Sequence, residues 1–546
     1  MRRLCWLFIL SIGGFAQQPI LYYRGTVNAA SLAPFGLPNA PIARGSVFTV
    51  FGENLGPAQS PALAFPLSTT LGGVALTVTQ SGVTTSAYPI FVSAGQVNAI
   101  LPSTVKGGLA TLRLTYNNVK SNAATIQISD AGPGIFAVSS GGYGPGIVQN
   151  YVSAASQPIN SSVAPASPGQ VITIWGTGLG PVTFADNVAP TPGNVTTAVS
   201  VKIGGQPAAI AYAGRSPCCA GVDQIVATVP ANAPLGCWVP VTINAGGWIS
   251  NTATMAIAAP GATGCSDATN PLSAMVRTPG TQAYLDFERM NTIDNVTVSP
   301  PNVNTMDKLY TRFYTQADSP YNFDPYMSYP PAGSCIVNET SGNAFLNKSL
   351  RGALPASASL NPQPTQAYNN GTQTLTFSPS GAFFSSSVAA TENSTSVLMN
   401  PLGGNGNLTI DPSGPNRTVV PMTIAAAPSW TSPSGILTIP RNAPFTVNFT
   451  PGDPAAPTGI VLYSYTASYN ATVSINCLAA PGATSFTIPA DLLSEIPATY
   501  GLIDGSYVNL FVGTLGFNHA AAFSNGLAGS GIYLSSNWLG QAVVLQ

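Results

Sequence analysis

The chain has 546 residues, a formal net charge of −1, only 6% charged residues and 45% hydrophobic ones. That balance excludes a disordered polyelectrolyte, and the lack of any Lys/Arg run argues against a nucleic-acid partner, because phosphates are neutralised by clustered cations. The 55 glycines and 49 prolines fit many short strands joined by tight turns, the composition of an all-β protein.

At the N-terminus, Arg2 and Arg3 precede an apolar run from Leu4 to Ile12, and Gly14-Phe15-Ala16 offers small residues for cleavage. The pattern predicts a signal peptide over residues 1–16. The run is shorter than the ~20 residues a membrane-crossing helix needs, so the mature chain is expected to be exported without a span.

Beyond it the chain says one thing twice. Gly45-Ser-Val-Phe-Thr-Val-Phe-Gly-Glu-Asn-Leu-Gly-Pro57 returns as Gly169-Gln-Val-Ile-Thr-Ile-Trp-Gly-Thr-Gly-Leu-Gly-Pro181. Gly95-Gln-Val-Asn-Ala-Ile-Leu-Pro102 is echoed by Val222 to Pro230, and Ser121-Asn-Ala-Ala-Thr125 by Ser250-Asn-Thr-Ala-Thr254. Three anchors in one order identify a duplication. Alternation such as Val47, Thr49, Phe51 or Val171, Thr173, Trp175 reads as half-buried strands. Gly52, Gly56, Gly176 and Gly180 are expected at reversals that need positive φ. About seven strands per copy predict tandem immunoglobulin-like sandwiches over 25–130 and 131–260.

With Cys5 lost in the signal, Cys218, Cys219, Cys237, Cys265, Cys335 and Cys477 remain, an even set that predicts disulfides. Cys218 and Cys219 lie in an insertion that the first copy lacks. Neighbouring cysteines rarely bridge each other, so one is expected to pair with Cys237 and the other with Cys265, leaving Cys335 with Cys477. No Cys-x-x-Cys unit occurs and His519 is the sole histidine, so neither a metal nor a cofactor is expected.

After Cys265 the chain stays strand-like, as in Thr374–Phe377, Phe445–Phe449, Gly459–Tyr463 and Tyr507–Val512, with one helical turn over Asp491–Ile496. Two further β-rich domains of sandwich type are expected, over 266–424 and 425–546. No catalytic set stands out. His519 lacks a Gly-x-Ser-x-Gly partner motif, and Asp286 and Glu288, two apart, read as a solvated strand face beside Arg289. The strongest anomaly is the aromatic stretch Tyr310, Phe313, Tyr314, Tyr321, Phe323, Tyr326 and Tyr329. Such rings either stack on a ligand or fill a sandwich core.

The Gly-x-Val-x-Thr-Ile-x-Gly-x-x-Leu-Gly pattern resembles the IPT/TIG immunoglobulin-like domain. Together with Val27-Asn-Ala-Ala-Ser31, Ala131-Gly-Pro-Gly-Ile-Phe136 and Tyr212-Ala-Gly-Arg215, it is similar, over about Val27 to Ile257, to a two-part module of exported acidobacterial (Solibacter-type) proteins. The resemblance implies fold and export rather than an activity. The expected function is a non-enzymatic binding, adhesion or structural scaffold outside the cell, at its surface or in the periplasm, with a glycan or surface protein as partner. The alternative is a secreted carbohydrate-active or other hydrolytic enzyme with its site after Cys265.

Overall fold

The computed structural model describes residues 17–294, 302–341, 358–359, 364–371, 374–377, 388–390, 396–399, 405–430, 437–499, 506–526 and 528–546. The expected signal peptide lies outside them. Among the described residues no helix is long and apolar enough to cross a membrane.

Alternating apolar residues give the first module its strands β1 (Ile20–Asn28), β2 (Val47–Glu53), β3 (Val74–Gln80), β4 (Tyr88–Val92), β5 (Gln96–Ile100), β6 (Gly108–Tyr116) and β7 (Ala124–Ser129). One sheet runs β1-β2-β5-β4, and a second holds β7-β6-β3. Between them Leu21, Phe48, Val50, Leu76 and Leu112 form a closed core, the face-to-face packing of a sandwich.

The second copy repeats the plan with β8 (Val171–Thr177), β9 (Val199–Ile203), β10 (Gln206–Arg215), β11 (Asp223–Thr228), β12 (Gly236–Ala245) and β13 (Ala253–Ile257). Here the two layers are joined in the order β8-β11-β10-β9-β12-β13. Strand β10 pairs with β9 at its start and with β11 beyond, and a register shift between Ile210 and Tyr212 lets it turn from one layer to the other. In the first copy the matching stretch is split at Ala87 into Val83–Ser86 and β4, which lie in separate sheets.

The repeated Ser-Asn pair has the same task in both copies. Asn122 receives the Leu21 N–H at 2.7 Å and donates to the Leu21 carbonyl, while Asn251 does both with Ile135. Ser121 and Ser250 accept the Leu114 and Ile243 N–H, each at 3.0 Å. Glycine at 52 and 176 has a different cause from the one expected. Neither has positive φ, whereas Gly180 does, at 137°. A Cβ on Gly52 would lie 2.1 Å from the Ile20 carbonyl oxygen, and on Gly176 2.3 Å from that of Gly134. Close approach of the entering strand excludes a side chain there.

The remainder includes α1 (Ser273–Arg277), β14 (Gly280–Asp294), β15 (Asn302–Gln316), β16 (Cys335–Ser341), β17 (Gln366–Asn369), β18 (Gly406–Ile410), β19 (Thr418–Met422), β20 (Phe445–Thr450), β21 (Thr458–Thr466), β22 (Ala471–Ala479), α2 (Ala490–Ser494), β23 (Tyr507–Leu515) and β24 (Ala528–Leu545). One large sheet runs β16-β22-β21-β23-β24-β14-β15. Strand β14 pairs in parallel with β24 from Gln282 opposite Ser530 to Ile293 opposite Gln541. Strands from both sides of residue 425, where a boundary was expected, alternate in this sheet. A smaller sheet carrying β17, β18 and β19 covers one face of β14 and β15 over Leu285, Phe287, Leu309 and Phe313.

All six cysteines are bridged, Cys335 and Cys477 as expected and the other four differently. Cys218 bonds Cys219, Cys237 bonds Cys265, and Cys335 bonds Cys477. The first two pairs correct the expected connectivity for a topological reason. Strand β10, ten residues long, separates the Cys218–Cys219 loop at its C-terminal end from the start of β12, where Cys237 lies. The insertion thus faces the first module, where Gly221 meets Val47 and Ile100, and the covalent tie to the downstream region is Cys237–Cys265. Cys335 and Cys477 occupy directly paired positions on β16 and β22.

Candidate binding face

Strands β14 and β15 bring the two groups of sequence candidates together. Directly opposed residues of an antiparallel pair share a face, and the register sets Tyr284 opposite Arg312, Asp286 opposite Tyr310, and Glu288 opposite Lys308. The other face carries Phe287, Leu309 and Phe313 into the core with Tyr368 and Leu408. Arg289 lies on that second face and holds Asp307 through two bonds of 2.6 and 2.8 Å, so, contrary to expectation, it does not share a face with Asp286 and Glu288.

Residues 317–334 fold back over the first face. The fold is fixed locally: Asp324 receives the Tyr326 N–H at 2.9 Å and pairs with Arg312, while Ser328 accepts the Asp324 N–H. The Arg312 guanidinium lies 4.3 Å from the Tyr314 ring centre. Packing divides the seven aromatics. Phe313 and Tyr314 are fully buried and Phe323 nearly so. Phe323 meets Tyr143 of the second module at 6.1 Å, and Tyr329 meets Phe517 edge-on at 5.1 Å. Tyr321 is half-buried, its N–H held by Ser319. Tyr326 alone of the seven is open, at 65% exposure, and it leans on Tyr310 at 6.0 Å, which in turn meets Tyr284 at 5.9 Å.

Beside this aromatic series lies a small charged group. Glu288 and Lys308 pair at 3.2 Å with side chains about a fifth and a third exposed. Asp286 accepts the Tyr284 hydroxyl at 3.2 Å through one oxygen, while the other, buried, has no hydrogen-bond partner. Burial pushes the Asp286 carboxyl up to about 7, helped by the Glu288 charge and opposed by Lys308. Burial also lifts the Tyr284 and Tyr329 hydroxyls. The arrangement offers an open ring, an ion pair and a poorly satisfied carboxylate within one patch. The carboxylate across it, Asp324, is committed to Arg312. His519 lies elsewhere, largely exposed, with Asp453 at 2.9 Å. Among the described residues no three His, Cys, Asp or Glu side chains converge as a metal site.

Residues 156–257 match the IPT/TIG domain. The TIG-like module is thus the second copy, from the approach to β8 through β13. No curated protein sequence matches the chain. Among solved structures, the full extracellular region of plexin A4 is 14% identical over 45% of this chain with a TM-score of 0.16, and this chain spans only 19% of it. The Bacteroides ovatus mixed-linkage glucan utilization locus protein SGBP-B, solved with a mixed-linkage heptasaccharide, is 14% identical over 52% of this chain and 68% of its own, at a TM-score of 0.21. A tetra-tandem repeat from the extending region of a large adhesion protein is 12% identical over 96% and 99%, at 0.13.

The site was only partly legible in the sequence. The alternation of β14 placed Asp286 and Glu288 on one face, and the density of aromatics marked 310–329. Lys308 and Tyr284 were missed, because their membership depends on the cross-strand register, which a turn signal such as Ser299-Pro-Pro-Asn302 does not set.

Proposed function

We propose that the chain is an exported, non-enzymatic binding scaffold that turns the Tyr326 face of its C-terminal sheet toward a carbohydrate. The observation that carries the reading is the exposed Tyr326 ring beside Tyr310 and the Glu288–Lys308 pair. An aromatic ring covers the apolar face of a sugar while nearby charged groups bond its hydroxyls. The three disulfides among the described residues fit an oxidising compartment, which supports export. Glycan-array binding of the mature chain tests the proposal. Tyr326→Ala and Glu288→Gln are each expected to abolish the signal, and equal binding by both variants would sink it.

The hydrolytic alternative rests on one observation, the Asp286 carboxyl with a buried, unmatched oxygen on the same strand face as a second carboxylate, Glu288, whose charge helps burial to raise its pKa. It requires that the bound glycan be cleaved and that Asp286→Asn abolish cleavage while leaving binding intact. Turnover by Asp286→Asn equal to that of the parent chain would end that reading.

A further inference from the structure

A second group of acidic side chains lies far from this face, where three parts of the molecule meet. The loop 29–41 of the first module reaches the edge of the large sheet, and Leu37, 3% exposed, joins the core of Val337, Ala471 and Val473. Two residues on, Asn39 is 4% exposed and donates through Nδ2 to Glu339 Oε1 at 2.6 Å. Glu339 stands on β16 on the same face as Cys335 and Val337, but is half-buried where those two are buried. Helix α2 closes the other side. Just after it Glu495 is 1% exposed, and neither of its carboxylate oxygens has a hydrogen-bond partner; nor has Asn39 Oδ1. Glu339 is the strongest charge that Glu495 feels, followed by Asp491, which is taken by Lys202 of the second module at 2.5 Å.

A buried carboxylate with both oxygens unmatched is among the costliest arrangements a fold can hold, unless a proton or a cation compensates it. Two carboxylates and an amide carbonyl form an all-oxygen donor set, the preference of a hard divalent cation, with calcium the best suited to irregular coordination completed by water.

We propose that Glu339, Glu495 and Asn39 Oδ1 form a calcium site that fastens the first module's loop to the C-terminal sheet. The ligands come from three separate elements, so the ion would act as an inter-module clasp.

The test uses the full mature chain stripped with EDTA and titrated calorimetrically with calcium chloride at pH 8, where solvent competes least through protons. Binding of about one ion per chain is expected, weakened at least ~10-fold in Glu495→Gln and in Glu339→Gln, since ligand charge sets affinity. Glu288→Gln, at the face proposed for carbohydrate, is expected to bind calcium like the parent. Because Gln relieves the buried charge, Glu495→Gln without calcium should be at least as heat-stable as the stripped parent, which separates lost ligation from misfolding. No calcium heat at pH 8, or equal affinity in parent and Glu495→Gln, would overturn the site and leave protons as the compensating species.

Discussion

Single side chains do structural work here that composition conceals. In both copies an Asn closes the module by satisfying the backbone of the entering strand, and both bonds are repeated at equivalent positions. Asn251 is 4% exposed, so Asn251→Ala leaves buried backbone groups unmatched and should cost ~1–3 kcal/mol, read as a lower urea midpoint at unchanged m-value. A midpoint like the parent's would show that water replaces the amide. Asp286 makes a prediction of opposite character. Its folded pKa of about 7 exceeds the ordinary 3.8, so the native state holds its proton more tightly. The stability this lends is complete below about pH 4 and is lost as pH rises toward 7. Asp286→Asn should flatten that part of the stability-versus-pH curve, and an unchanged slope between pH 4 and 7 would refute the assignment.

At the scale of elements, the duplication was legible because its signals are local. The period of two in Val47–Phe51 and Val171–Trp175, and the Ser-Asn pair, each report neighbours within one module. What escaped was set by distant pairing. Strand β14 lies parallel to β24 across some 250 intervening residues, and no composition shift at 425 reports that contact. The insertion after β10 was visible, yet its partner was not, since the end of β10 at which it lies depends on strand direction. Its anchor is Arg215, 5% exposed, which pairs with the buried Asp223 and donates to the carbonyls of Gly45 and Gly180. Arg215→Ala removes one member of a buried pair and should cost ~3–5 kcal/mol, whereas replacing Cys218 and Cys219 together by Ser should cost little. Their bridge closes a loop between adjacent residues, so it restricts the unfolded chain far less than Cys335–Cys477, which spans 142. Thermal unfolding of the two variants side by side decides the order, and a larger loss from the cysteine pair would contradict it.

On the scale of the whole molecule, the modules do not stand out as a stalk. The first is tied to the second through Arg215 and to the C-terminal sheet through loop 29–41, where Tyr469 meets Phe35 edge-on at 6.3 Å and Arg24 lies 5.2 Å from the Tyr469 ring centre. The second reaches the same body through Trp238, whose indole N–H donates to the Asn322 carbonyl at 3.3 Å, and through Ser162, whose N–H and hydroxyl both donate to the Pro320 carbonyl. Each of the three bodies thus touches the other two, and closing such a ring fixes their angles more firmly than a linear string would. Leu37 is the apolar keystone of the contact between first and last. Leu37→Asp places a charge where a 3% exposed leucine sat, against Val337 and Val473, and the desolvation cost exceeds anything the loop's remaining polar bonds return. The loop should therefore leave the sheet while Arg215 still holds the first module to the second. Small-angle scattering should show a larger radius of gyration, and hydrogen exchange should quicken along β16 and around Tyr469 while the cores of both modules stay protected. A scattering curve matching the parent's, with exchange unchanged on β16, would mean that the Arg215 junction alone sets the arrangement and that the loop merely rests on the sheet.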